Sequence, residues 1–193
     1  MSGAAARVVV LDRDGTIVID RDYLDDPAQL EFLPLAAQGL RVLYERGHRL
    51  VVITNQSGVG RGRFSLERLQ QINERFIAMV EHAGARLAGL YFCPHRPEDD
   101  CACRKPRTKL LEDAAAELHF APADAAVIGD KASDVELGRR AGALTLLVSS
   151  NGLTREGTPS AADYVVANLM EAAEVLAAER RPARAARGRA AGT

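Results

Sequence analysis

Short apolar runs alternate along the chain with longer segments whose apolar residues recur every three or four positions. Val8–Leu11, Leu144–Val148 and residues 50–53, 89–92 and 125–128 are runs of the first kind and predict strands buried on both faces. Residues 35–45, 108–118 and 133–140 read as helices, the first ending at Gly47. A longer helix starts from Ser65, which can cap it, and ends at Gly84; Leu66, Leu69, Ile72, Phe76, Met79 and Val80 form its apolar face. Arg68 stands at its N3 position, so there is no capping box. The order βαβαβαβαβ predicts a Rossmann-like, doubly wound α/β fold: a parallel sheet with helices on both faces and right-handed crossovers.

Ligands of such sheets sit at the carboxyl ends of the strands. Four polar clusters fall there: Asp12-Arg13-Asp14-Gly15-Thr16 after the first strand, Thr54-Asn55-Gln56-Ser57 after the second, a cysteine loop after the third, and Gly129-Asp130-Lys131 after the fourth. Any one of them could be ordinary turn chemistry, and D-x-D-G-T alone could form an Asx turn. Four together are hard to explain that way. Too few residues separate the first two strands for an inserted cap domain, so loops alone cover this edge.

At 193 residues, 47% hydrophobic and 26% charged, the chain reads as one soluble α/β-sized domain over residues 1–178 with an Arg/Ala-rich tail over 179–193. No apolar run approaches the roughly 20 residues that span a bilayer. The apolar run near the start is too short and too early for a signal peptide, which predicts a cytoplasmic protein. The net charge of −1 averages a tail at +4 and a body at −5, and a mildly acidic body argues against nucleic-acid binding by the fold. The tail offers no apolar face to bury.

Only Lys105, Lys109 and Lys131 are lysines; the other 22 basic residues are Arg. All three cysteines lie within eleven residues, and with His95 they spell C-x-H-x5-C-x-C. Cys93, His95, Cys101 and Cys103 suit a closed, structural tetrahedral Zn²⁺ site that would staple the loop 94–102 and aim Arg104 and Lys105. The alternative is an exposed loop of reduced, unligated thiols. The glycine-rich stretch 55–62 has the spacing G-x-G-x-G after the second strand, which does not match a dinucleotide fingerprint. A loop offering backbone N–H groups and Arg61 to an anion fits it better.

Asp12 to Thr16, the strand ending in Thr54, Lys105, and Gly129-Asp130 with Asp134 resemble, in order, the four signatures of the haloacid dehalogenase superfamily. The resemblance implies phosphomonoester hydrolysis with Asp12 as nucleophile and Asp14 as general acid and base. Mg²⁺ would lie against Asp12, Asp130 and the Asp14 backbone carbonyl. Thr54 and Asn55 would donate to the transferring group and Lys105 would offset its charge. Asp134 would orient Lys131 or a metal-bound water rather than touch the metal.

C-P-H followed by C-x-C-R-K-P resembles the branch that holds heptose bisphosphate and histidinol-phosphate phosphatases. That implies substrate contacts from Asp20, Arg21, Asp22 and Tyr23, from Asn55, Gln56 and Ser57, and from Arg104, Lys105 and Lys131. The turn T-N-Q-S-G with Arg61-Gly62 favours the 7-phosphate of D-glycero-D-manno-heptose 1,7-bisphosphate, whereas Arg107-Thr108-Lys109 is closer to the histidinol-phosphate type. The expectation is a monomeric phosphatase acting on a small phosphorylated substrate. A module that binds a phosphorylated ligand without turnover is the alternative from another class, though it would gain nothing from a buried nucleophile. His48, His82 and His119 read as surface or capping groups.

Overall fold

The computed structural model describes residues 6–179, so the expected basic tail lies, but for Glu179, outside the described residues. Six parallel strands, β1 (Val8–Leu11), β2 (Arg49–Asn55), β3 (Leu87–Cys93), β4 (Ala126–Gly129), β5 (Leu144–Val148) and β6 (Tyr164–Val166), form one sheet in the order β3-β2-β1-β4-β5-β6. The helices are α1 (Ala36–Glu45), a single turn α2 (Ser57–Gly60), α3 (Leu66–His82), α4 (Lys109–Leu118), α5 (Ala132–Ala141) and α6 (Leu169–Ala178).

Alternation along the strands divides the core. Val9 and Leu11 face one side with residues of α1, α3 and α6, while Val8 and Val10 face the other with residues of α4 and α5. Helices therefore cover both faces, as the element order requires. Leu11 is fully buried, and truncating such a leucine to alanine costs about 2–5 kcal/mol. Ser65 caps α3 by accepting a hydrogen bond from the Arg68 N–H at 3.2 Å. Between β1 and β2 stand only a 3₁₀ turn (Pro27–Gln29), α1 and connecting loops, with no cap domain.

β6 and α6 extend the pattern that the sequence predicts. α6 did carry a start signal: Asn168 accepts from the Glu171 N–H at 3.0 Å, and the Glu171 carboxylate accepts from the Ala167 N–H at 2.7 Å. His82 and His119 lie at helix ends as expected. His48 does not lie on the surface. It is 4% exposed, its Nδ1 accepts from the Arg7 N–H at 3.1 Å, and burial holds it below the ordinary imidazole value of 6.5. It sits at the turn into β2, where the chain dives under α1, so a histidine there is enclosed rather than solvated.

The strand order reverses between β1 and β4. Such a switch point opens a crevice at the carboxyl ends of the two strands. The ladder continues one residue past β1, with the Asp12 N–H donating to the Ile128 carbonyl at 3.0 Å, which fixes the first aspartate at the crevice floor.

Candidate active site

Asp12, Asp130 and Asp134 each bring a carboxylate oxygen within 4.8 Å of the others, and all three are buried. Two glycines make this approach possible. Gly15 has φ +90°, and a Cβ there would stand 2.1 Å from an Asp130 oxygen; one on Gly129 would meet the Asp134 carboxylate at 2.3 Å. The spacings D-x-D-G and G-D-x-x-x-D thus have a steric cause.

Lys105 lies between these carboxylates, 5% exposed. Its three ammonium protons have three acceptors: Asp12 Oδ1 at 2.7 Å, the Ile53 carbonyl at 2.7 Å and Asp134 Oδ1 at 2.7 Å. Burial alone would raise Asp12, but the Lys105 and Lys131 charges and the Lys105 hydrogen bond outweigh it and hold the carboxyl below its usual range. Burial likewise works against the Lys105 charge and is overcome by Asp12 and Asp134. Asp130 makes no contact with Lys105, and burial together with the Asp12 charge, against the pull of Lys131, pushes it up to about 7. Burial also raises Asp134, against the pull of Lys105. Asp134 therefore supports Lys105, and only its Oδ2 turns to residue 131, accepting from the backbone N–H at 3.1 Å.

The Asp14 carboxylate lies outside this trio. Arg13 pairs with it at 3.0 Å and the Gln56 amide donates to it at 2.7 Å. Gln56 also donates to Thr54 Oγ1 at 2.8 Å. Asn55 clasps the Lys105 backbone, accepting from its N–H at 3.0 Å and donating to its carbonyl at 3.3 Å. Both amides expected against substrate line the cleft and also serve the protein, one holding Asp14 and the other the segment that carries Lys105.

Asp12, Asp14, Thr54, Asn55, Gln56 and Lys105 line a cleft of about 440 Å³ that also takes in Asp20, Arg21, Asp22, Tyr23, Ser57, Arg104 and Lys131, with Asp130 and Asp134 behind its wall. Lys131 reaches Asp20 at 3.2 Å and the Asp14 carbonyl at 3.5 Å. Arg61 is not brought into the cleft; its guanidinium pairs with Glu98 at 3.2 Å. Three charged lining residues were not foreseen as part of the site: Arg13, Arg155 and Glu156. Arg155 sits 3.5 Å from Asp20 and 3.7 Å from Asp130, and Glu156 accepts from the Ala132 N–H at 3.1 Å. They belong to the long connection after β5, where no periodicity marks position in space. Lys109 faces away, paired with Asp113 one helical turn on, and Arg107 donates to the carbonyls of Asp100 and Cys101.

The cysteine cluster lies beside the cleft. Cys103 Sγ is 3.1 Å from Cys93 Sγ, 3.5 Å from Cys101 Sγ and 3.2 Å from His95 Nδ1, and Cys93 Sγ is 3.5 Å from Cys101 Sγ. Zn–S bonds of about 2.3 Å in a tetrahedron set sulfur edges of roughly 3.8 Å, so the donor set fits a zinc ion after slight expansion. Burial pushes the Cys93 and Cys103 thiols up, while hydrogen bonds from these two bring the Cys101 thiol down to about 7 against burial. The cluster is tied to the site: the Gln56 N–H donates to the Cys93 carbonyl at 2.7 Å, and Arg104 to the His95 carbonyl at 3.3 Å.

Residues 102–172 match a family model described as HAD-hydrolase-like. Over 174 residues the chain is 36% identical to a D-glycero-β-D-manno-heptose-1,7-bisphosphate 7-phosphatase of Haemophilus ducreyi, covering 86% of this chain and 95% of that protein. The protein of the same name from Escherichia coli K12 is 32% identical over 188 residues, covering 91% and 96%. The chain belongs to the phosphatases of the haloacid dehalogenase superfamily. The heptose 1,7-bisphosphate phosphatase structure from B. bronchiseptica, a complex with magnesium and phosphate, shares its fold with a TM-score of 0.78 and 30% identity over 90% of this chain and 99% of that one. That from Burkholderia thailandensis gives 0.66 and 28%, with 90% and 99% covered. In this superfamily member the buried Asp12 and Asp130 carboxylates meet the donor chemistry of a hard divalent cation, while Asp134 beside them is taken up by Lys105 and the residue-131 N–H.

Proposed function

We propose that the protein removes the 7-phosphate of D-glycero-D-manno-heptose 1,7-bisphosphate through an aspartyl phosphate on Asp12. The observation that carries the reading is Lys105 inside the carboxylate cluster: it keeps Asp12 ionised in a buried place where a carboxylate would otherwise take up a proton. An ionised, desolvated carboxylate is a nucleophile. As its oxygen bonds to phosphorus, Asp14 hands a proton to the departing sugar oxygen. Asp14 then takes a proton from water as that water attacks phosphorus, the Asp12–phosphate bond breaks and inorganic phosphate leaves. Mg²⁺ on Asp12, Asp130 and the Asp14 carbonyl would supply the positive charge that lets a carboxylate approach a phosphate dianion. Thr54 and Lys105 face the transferring group from the cleft wall.

Arg21, Arg104, Lys131 and Arg155 also line the cleft and suit a substrate with a second phosphate. The curated relatives carry the β anomer in their names, and we adopt it for this chain. The departure at 107–109 gives no support to histidinol phosphate, because Lys109 points to Asp113 and Arg107 braces the cysteine loop. Zn²⁺ on Cys93, His95, Cys101 and Cys103 would hold that loop. Among the described residues no helix is long and apolar enough to cross a membrane; a single domain over 1–178, working as a monomer in the cytoplasm where thiols stay reduced, completes the reading.

The test is kcat/KM on both heptose bisphosphate anomers and on histidinol phosphate, with Mg²⁺ present. The β-heptose substrate is expected to lead. Comparable turnover of histidinol phosphate would overturn the assignment.

A further inference from the structure

Arg13 is the largest fully buried side chain among the described residues, at 1% exposure, and no step above uses it. We propose that Arg13, anchored on Asn73 of α3, is a positioning residue that presents Oδ1 of Asp14 as the oxygen exchanging a proton with substrate. The proposal rests on reading Asp14 as the general acid and base.

Three contacts carry it. Arg13 meets Asp14 side-on: Nε lies 3.2 Å from both carboxylate oxygens and the NH2 nitrogen 3.0 Å from Oδ2. Gln56 Nε2 adds a 2.7 Å bond to the same Oδ2. Oδ2 is therefore saturated by short donors, while Oδ1 has one long, shared contact. Oδ1 is thus the oxygen whose lone pairs are left open to a further partner. The remaining nitrogen, NH1, donates to Asn73 Oδ1 at 2.9 Å.

Asn73 itself is out of place unless it serves this purpose. It is 7% exposed on a helix face whose neighbours Leu69, Ile72 and Phe76 are fully buried, a position where an apolar side chain would pack at no polar cost. A planar guanidinium can hold a carboxylate edge with one pair of donors and a second anchor with the third nitrogen; an ammonium cannot. In the first step the proton on Oδ1 passes to the leaving oxygen while the Asp12–phosphorus bond forms. In the second, Oδ1 receives the proton of the attacking water.

The discriminating measurement is kcat/KM for a sugar phosphate against nitrophenyl phosphate, whose leaving group departs without a proton. This parameter covers steps up to loss of the leaving group and is blind to later hydrolysis of the aspartyl phosphate. Asp14→Asn is expected to lose about 10²–10⁴ on the sugar phosphate and only a few-fold on the aryl ester. Arg13→Lys and Arg13→Met should reproduce that selective loss at about 10²-fold, the size of a small misplacement. Asn73→Leu should show the same selectivity to a lesser degree in a protein that circular dichroism shows to be folded. Equal losses on both esters in the Arg13→Lys and Asn73→Leu proteins, or no loss, would reduce Arg13 to a structural ion pair and overturn the proposal. Equal losses in Asp14→Asn would instead remove the acid assignment on which it stands. Should Arg13→Met fail to fold, the lysine and Asn73 variants still decide.

Discussion

Two clusters of potential metal ligands lie near the carboxyl edge of the sheet, and they are built on opposite plans. The carboxylates of Asp12, Asp130 and Asp134 project from strand ends and a helix turn, are buried, and are organised by Lys105 and by glycines that leave room for them. Cys93, His95, Cys101 and Cys103 come from the last residue of β3 and an irregular loop, and the sulfurs and imidazole have chiefly one another as partners. The first cluster has a protein counter-ion and so can stand as a frame. The second would depend on the zinc ion proposed for it. On that proposal a site that must release its product is held by the fold, while a loop with little core of its own is held by a staple.

Removing the protein's own counter-ion should give the largest effect. Lys105→Met leaves two buried carboxylates unpaired, and breaking a buried pair from one side costs about 3–5 kcal/mol; urea unfolding is expected to show that loss, with phosphatase activity abolished. Gly15→Ala attacks the frame through geometry. A Cβ at φ +90° and 2.1 Å from Asp130 should cost about 1–3 kcal/mol and raise the Mg²⁺ concentration needed for activity, read from a metal titration of the rate.

Chelation probes the other cluster. A zinc chelator is expected to lower Tm and weaken substrate binding, through Arg104 and Lys105, while leaving the Mg²⁺ requirement unchanged. Metal analysis finding no zinc, with Tm indifferent to chelator, would erase the contrast. The smallest effect is in pH. Burial and the Asp12 charge push Asp130 up to about 7, so below that value Mg²⁺ must displace a proton, and its activation constant should rise about tenfold per pH unit. Above it the constant should level off.

Much of this was legible before any coordinates. Apolar runs of four or five residues located five strands, and the rule for carboxyl ends gathered Asp12, Thr54 and Asp130 because a parallel sheet leaves strand-end residues nowhere else to go; Lys105, well past the end of β3, came from the resemblance alone. β6 escaped notice because three residues, Tyr164–Val166, carry no period, and α6 because its Asn168 cap follows a long irregular connection. Residue partners were harder. Arg61 looked like an anion contact and pairs with Glu98, and Asn55 and Gln56 looked like substrate donors and also serve Lys105 and Asp14. Side-chain amides satisfy whichever buried group lies nearest, and nearness across 40 or 50 residues is set by packing. Asn73 was the one visible sign, a polar residue on an apolar helix face.

Phosphate release from D-glycero-β-D-manno-heptose 1,7-bisphosphate, with the position of loss read by phosphorus NMR, tests the role of Asp12 most directly when the parent is compared with Asp12→Asn in saturating Mg²⁺. The parent should yield heptose 1-phosphate and the variant should leave the bisphosphate intact while remaining folded. Equal rates in the two proteins, or loss of the 1-phosphate by the parent, would contradict it.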